Sequence, residues 1–370
     1  MRVNNADMRE AHVVEPLNKE QVRRAVDRRN PTAVPLMLHK WWNSETADKY
    51  GARLSDLAVG YPDDVLSAPY RAPGDSTLLA KYPEYRWEYR DARADAATRG
   101  LDSQHVIADW SDLDEFLEKM PRGDLPESIE PTIEFVSNHR DRYILSGPWF
   151  LFYERLWTLL GMENALASFL ERPAEMKRLG EALVEYYKQV ARSLAKAGVD
   201  GWLTSDDLGA QKALMFSPAT FREFLKPWFA AVIAESHKHG LHFWLHSCGQ
   251  LSEIMDDFCE IGLDVLHPIQ AGCMDQRDVA QRFGGRITFF AGVDVQYLLP
   301  NATADGVTRG IKDMIDTFDR PEGGLILGAG NAITPETPFE NIEAYLDTIT
   351  DYGRAVRRRY QPGPRGAFRS

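Results

Sequence analysis

The sequence predicts an α/β chain closed into a TIM (β/α)8 barrel, with an inserted segment near 71–130 and an extra N-terminal helix. Three observations carry this expectation. Short apolar runs recur near residues 33, 65, 143, 201, 241, 263, 286 and 324. Most are followed by a segment of helical spacing, and regular strand–helix alternation implies parallel strands with right-handed crossovers. No GxGxxG follows the first run, which disfavours an open dinucleotide-binding sheet.

Residues 1–17 read as a loose arm, 18–353 as one barrel domain and 354–370 as a basic tail. A short charged helix is expected over 18–29, then a first strand over 33–38 and a helix over 44–58. Strand two falls at 65–70. The irregular stretch 71–130 carries one clear helix behind Ser111, with Glu115 and Phe116 on it. Its proline, glycine and polar aromatics (Tyr82, Tyr85, Trp87, Tyr89) suit a lid over one mouth of the barrel. Helical regions follow at 150–170 and 173–197. Ser217-Pro218 reads as an N-cap with proline at the first helical position, and Thr337-Pro338 with Glu340 reads as a capping box.

Composition narrows the function. A net charge of −12 argues against nucleic acid. No apolar run reaches the roughly 18 residues of a membrane span. Cys248, Cys259 and Cys273 are too few for a disulfide framework and point to a reducing compartment. The polar N-terminus has no signal-peptide core, so a cytoplasmic setting is expected.

Barrel enzymes act at the C-terminal ends of their strands. Here those ends hold His39 and Trp41, Asp206 and Asp207, His246 and Cys248, then His267, Gln270 and Cys273, then Asp294 and Gln296, and Gly328 to Asn331. His246 and Cys248 are two apart at a strand end, so they share a face. Imidazole with thiolate is chemistry suited to zinc. Adjacent strand-end residues point opposite ways, so at most one of Asp206 and Asp207 enters the site, and Asp207 is the expected one. His39 and Tyr153 are candidate proton carriers. Trp41, Phe152, Gln270, Asp294 and Asn331 are candidate substrate contacts. The bland alternatives are an Asx turn at Asp294, core packing for the aromatics, a structural His267 and a buried, inert Cys259.

Four blocks in order, beginning LTSDDLGAQKALMFSPATF at Leu203, LHSCGQLSEIMDDF at Leu245, FFAGVDVQYLLPNAT at Phe289 and GGLILGAGNAITPETPF at Gly323, resemble the uroporphyrinogen decarboxylase-like superfamily. The resemblance implies a TIM barrel and one of two chemistries. The haem-pathway decarboxylases carry an arginine-rich segment after the first strand. Here that stretch is LHKWWNSE, with Lys40 its only cation. The cobalamin-linked methyltransferases carry H-x-C and a distant cysteine that together bind zinc. His246 and Cys248 match, whereas Ala329 occupies the distant position. Cys273 and Glu154 are the candidate replacement ligands.

The resemblance implies a methyltransferase that moves a methyl group between a corrinoid or small donor and a thiol or other acceptor. Zinc is the expected metal. A partner protein would supply the corrinoid, since the chain has no recognisable corrinoid-binding segment. The alternative is a metal-free decarboxylase or lyase for a small carboxylate, built on Asp207. A non-catalytic partner subunit is a third reading. A homodimer is expected from such barrels in general.

Overall fold

The computed structural model describes residues 15–85, 87 and 105–361. Most of the expected arm, Tyr89 and the end of the tail lie outside these.

Seven parallel strands follow one another in chain order around one sheet: β1 (Val65–Ser67), β2 (Tyr143–Ser146), β3 (Gly201–Ser205), β4 (His242–His246), β5 (Val265–His267), β6 (Thr288–Val293) and β7 (Leu325–Ala329). β2 to β7 are buried throughout, as expected for strands covered by helices on one face and packed on one another on the other.

The segment expected as the first strand closes the ring. Met37 N donates to Leu327 O (2.9 Å) and Leu327 N to Pro35 O (3.0 Å) on one side. Asp64 N donates to Leu36 O (2.8 Å) on the other. Pro35 has no N–H, so only the single bridge Leu36–Leu327 forms here instead of a full ladder. Asp64, wholly buried, fixes the closure. Its carboxylate accepts from Leu17 N (2.6 Å), Leu36 N (2.8 Å) and the Arg354 guanidinium (2.6 Å).

Several boundaries move. The region expected as one helix over 150–170 breaks into Tyr153–Leu160 and Met162–Glu171. Gly161 at φ 82° makes the break, and a Cβ there would stand 2.3 Å from the His105 ring. The helix expected behind Ser111 spans Leu113–Glu118, preceded by a single 3-10 turn that Asp109 caps. The Ser217 cap forms as expected, its side chain accepting from Thr220 N. The Thr337 capping box does not: the helix Phe339–Val356 starts without a side-chain cap, and the Thr337 hydroxyl is buried without a partner among the described residues.

The basic tail starts later than its composition suggests. The helix Phe339–Val356 runs into a 3-10 turn, Arg357–Tyr360. Arg357 is 1% exposed, pairs with Asp319 (3.0 Å) and donates to the carbonyls of Pro31 (3.1 Å) and Pro321 (2.7 Å). A buried guanidinium with these partners belongs to the core. Among the described residues no helix is long and apolar enough to cross a membrane.

Candidate active site

Parallel register sets the site. Ser205 on β3, His246 on β4 and His267 on β5 stand side by side at the C-terminal rim. Chain alternation then separates Asp206 from Asp207. The Asp206 carboxylate turns away from the mouth and accepts from Phe152 N (3.1 Å), Tyr153 N (3.0 Å) and Glu154 N (2.7 Å), capping the helix Tyr153–Leu160. Burial pushes this carboxyl up to about 7, against the three amides.

Asp207 faces the mouth. Its Oδ1 accepts from Cys248 N (2.7 Å) and stands 3.7 Å from His246 Nε2. Cys248 Sγ is 3.4 Å from the same Nε2. One ligand atom each from Asp207, His246 and Cys248 lies within 4.8 Å of the others. Asn331 Nδ2 donates to Cys248 Sγ (3.5 Å). Burial, with Asp207 beside it, pushes the Cys248 thiol up to about 12. Burial lowers His246 to about 4. Burial thus keeps both side chains neutral around pH 7.

A cavity of about 410 Å³ opens above this group, lined among others by Asp207, Cys248, Gln270, Asp294, Gln296 and Asn331. Gln270 accepts from Gly249 N (2.7 Å) and donates to Gln296 Oε1 (3.2 Å), so it braces the wall. Asp294 Oδ1 accepts from Gln296 N (2.8 Å) and Tyr297 N (3.0 Å), an Asx-type turn at the rim. Trp41 and Trp149 flank His246, with ring centroids 5.1 and 5.5 Å away.

The remaining expected residues stand apart. Cys273 is not in the clustered group, and its thiol donates to Gln211 Oε1 (3.1 Å). His39 contacts the Tyr61 carbonyl through Nε2 (2.7 Å) and accepts from Trp42 Nε1 through Nδ1 (2.9 Å), so both ring nitrogens are engaged away from the cavity. Phe152 is fully buried against Tyr187, Trp228 and Phe229. Tyr153 is fully buried as well, packed on Trp157 and Phe216 with its hydroxyl unpaired among the described residues, and burial drives its pKa up. The short phase of a helix start, not a pocket wall, explains this aromatic pair.

Glu154 lies within electrostatic reach of Asp207 and Cys248. It is 4% exposed, and its Oε2 is buried without a partner among the described residues. Burial and then the two neighbouring aspartates push its carboxyl up to about 9.

A second cavity, about 340 Å³, is lined by Lys40, Ser67, Tyr70, Ser146 and Trp149. The Lys40 side chain is open to water within this hollow, and its ammonium stands 4.8 Å over the Trp149 ring. No carboxylate pairs with it among the described residues.

Sequence reasoning took Asp207 as an acid or anchor and missed it as a potential ligand. An aspartate two residues past the end of β3, the strand paired with the one that carries H-x-C, is the signal that points there.

The uroporphyrinogen decarboxylase (URO-D) family model matches residues 144–352. The methylcobamide:CoM methyltransferase MtaA of Methanosarcina barkeri is 25% identical over 173 residues, 46% of this chain and 46% of that protein. A uroporphyrinogen decarboxylase of Coxiella burnetii is 24% identical over 197 residues, 51% of each. The chain thus spans about half the length of the curated relatives it matches. A solved methyltransferase from Methanosarcina mazei superposes with a TM-score of 0.63 at 16% identity, covering 90% of this chain and 98% of that one. The likeness extends the fold beyond the matched segment, and the chain belongs to the uroporphyrinogen decarboxylase (URO-D) family.

Proposed function

We propose that this chain is a methyltransferase that moves a methyl group from a corrinoid or small methyl donor to a thiol or other acceptor, with zinc at Asp207, His246 and Cys248. The observation that carries the reading is the convergence of one carboxylate oxygen, one imidazole nitrogen and one sulfur within 4.8 Å at the mouth of a barrel. This donor set suits zinc, and three protein ligands leave a fourth position for a substrate. Glu154 Oε2, without a partner among the described residues, is a further oxygen donor in reserve. The name of the partial relative MtaA supports a corrinoid-borne methyl donor, supplied by a separate protein.

Bound zinc would lower the pKa of a coordinated thiol, giving a thiolate nucleophile near neutral pH. The chain's own residues do the rest. His246 and Cys248 hold their places through strand β4, and Asp207 is fixed by the Cys248 amide. Trp41 and Trp149 keep water from the back of His246. The cavity above admits the acceptor. The acceptor loses its S–H proton to water, its sulfur forms the S–CH3 bond, and the donor keeps the electron pair of the bond that breaks.

The test is metal content with activity. Purified protein reconstituted with zinc should retain about one ion per chain. It should transfer a methyl group from methylcobalamin to a thiol, and His246→Ala and Cys248→Ala should lose both properties. A protein that keeps no zinc, with both variants as active as the parent, rules the reading out.

The Lys40 cavity favours a second reading, a metal-free lyase for a small carboxylate, because an ammonium with no carboxylate partner among the described residues, set in a hollow, suits an anionic group. In that case Asp207→Asn abolishes turnover while chelators leave it unchanged. Chelator-sensitive turnover sinks it.

A further inference from the structure

His267 was expected to be structural. Its hydrogen bonds give it a more specific task. It lies at 1% exposure beneath Trp41, the rings stacked at 4.6 Å and 10°, with the Phe290 ring 4.2 Å away on another side. Its Nε2 stands 3.0 Å from the carbonyl oxygen of Ala329. Its Nδ1 stands 2.7 Å from Nδ1 of His246.

Donor and acceptor roles along this chain are fixed one after another. A carbonyl only accepts, so His267 Nε2 carries a proton. A charged His267 would be a bare cation between Trp41 and Phe290 with no carboxylate in contact among the described residues, so the ring is neutral. A neutral imidazole carries one N–H, so His267 Nδ1 bears a lone pair. The 2.7 Å contact therefore needs its proton on His246 Nδ1. A neutral His246 then presents an unprotonated Nε2 to Asp207 and Cys248.

We infer that His267 is a positioning residue: anchored on the Ala329 carbonyl, it sets His246 in the Nδ1–H tautomer with the Nε2 lone pair aimed into the Asp207–Cys248 group. Ala329 occupies the place where the related methyltransferases are expected to carry a ligand cysteine. In this chain that position contributes a backbone oxygen to the ring behind the site. The tautomer stands whether or not a metal binds. Its effect on metal affinity rests on the zinc reading above.

The experiment uses a crossed pair of variants and a direct view of the tautomer. His267→Phe keeps a flat ring under Trp41 and removes the acceptor. His267→Gln loses the ring but keeps an acceptor for His246 and a donor for Ala329. Long-range 1H–15N spectra of metal-free parent protein, with His246 assigned by comparison with His246→Ala, should show the proton on Nδ1. Competition with a chromogenic chelator should show zinc affinity reduced about 10–100-fold in His267→Phe and changed only a few-fold in His267→Gln. Should His267 serve only to pack, the order reverses, with His267→Phe tight and His267→Gln weak, and that outcome overturns the proposal. Should His267→Phe fail to fold, the parent spectrum decides alone: a proton on His246 Nε2 at neutral pH overturns it. Parent protein with the expected tautomer but no zinc affinity refutes the zinc reading and leaves the positioning role intact.

Discussion

Asp206 and Asp207 are neighbours in the chain and face opposite sides of the rim. One caps the helix Tyr153–Leu160 from within the core, and the other fixes Cys248 at the cavity. The two carboxylates therefore separate by experiment. Asp206→Ala leaves three amide donors at a buried helix start without their acceptor and should cost about 1–3 kcal/mol in urea unfolding. Asp207→Ala should change unfolding by less than about 0.5 kcal/mol and abolish zinc retention. Equal effects of both variants on stability, with zinc kept in both, contradict this division.

Cys248 and Cys273 should also behave differently. Cys248→Ser removes the sulfur from the clustered group and should weaken zinc binding at least tenfold. Cys273→Ser replaces a thiol that already bonds to Gln211, and should leave the affinity within about threefold. Chelator competition reads both, and a loss confined to Cys273→Ser would reassign the third ligand.

Glu154 gives a pH signature to the metal-free protein. Its folded pKa of about 9 lies above the ordinary 4.5, so the folded state holds a proton that the unfolded chain has released. Stability from this group is unaffected below about 4.5 and falls as pH rises from there towards 9, by at most about 1.4 kcal/mol per unit. In urea titrations with chelator present, Glu154→Gln should flatten that decline between pH 5 and 8, in the sense of a smaller slope than the parent. Parallel slopes would show that the carboxyl finds water or a partner.

The Lys40 hollow predicts a specificity effect. Lys40→Met should raise KM for a carboxylate- or sulfonate-bearing acceptor about tenfold or more, with kcat and the KM of an uncharged thiol nearly unchanged. Steady-state kinetics with the two acceptors measures it. An equal change for both would place the ammonium outside the substrate's reach.

Arg357 tests the C-terminal boundary. Removing one partner of its buried pair with Asp319 strands a charge, so Arg357→Met should cost about 3–5 kcal/mol. A change below 1 kcal/mol would return the residue to the tail.

Much of the barrel is legible in the chain because parallel strands covered on both faces leave compact apolar runs, and β2 to β7 each overlap one of those runs, with ends shifted by a few residues. The closing segment 34–38 is legible for the same reason, even though Pro35 keeps it from forming a ladder. Chain alternation alone separates Asp206 from Asp207. What a linear reading lacks is register. That His246 sits beside His267, and so gains a partner for Nδ1, follows from the β4–β5 pairing alone. Cys273 lies close to the motif in sequence, yet the turn after β5 carries its thiol to Gln211. The burial of Phe152 and Tyr153 depends on where the helix begins, which Asp206 decides from a distant strand.

The Asp64 closure bears on how the chain assembles. Arg354 reaches Asp64 across 290 positions, and both flank the gap between β7 and β1. Contacts this distant in sequence carry a large loop-closure entropy and form late. Asp207, His246 and Cys248, by contrast, come from the consecutive strands β3 and β4 and the turns after them. During synthesis these three side chains can therefore meet on an open sheet, before the ring shuts behind them.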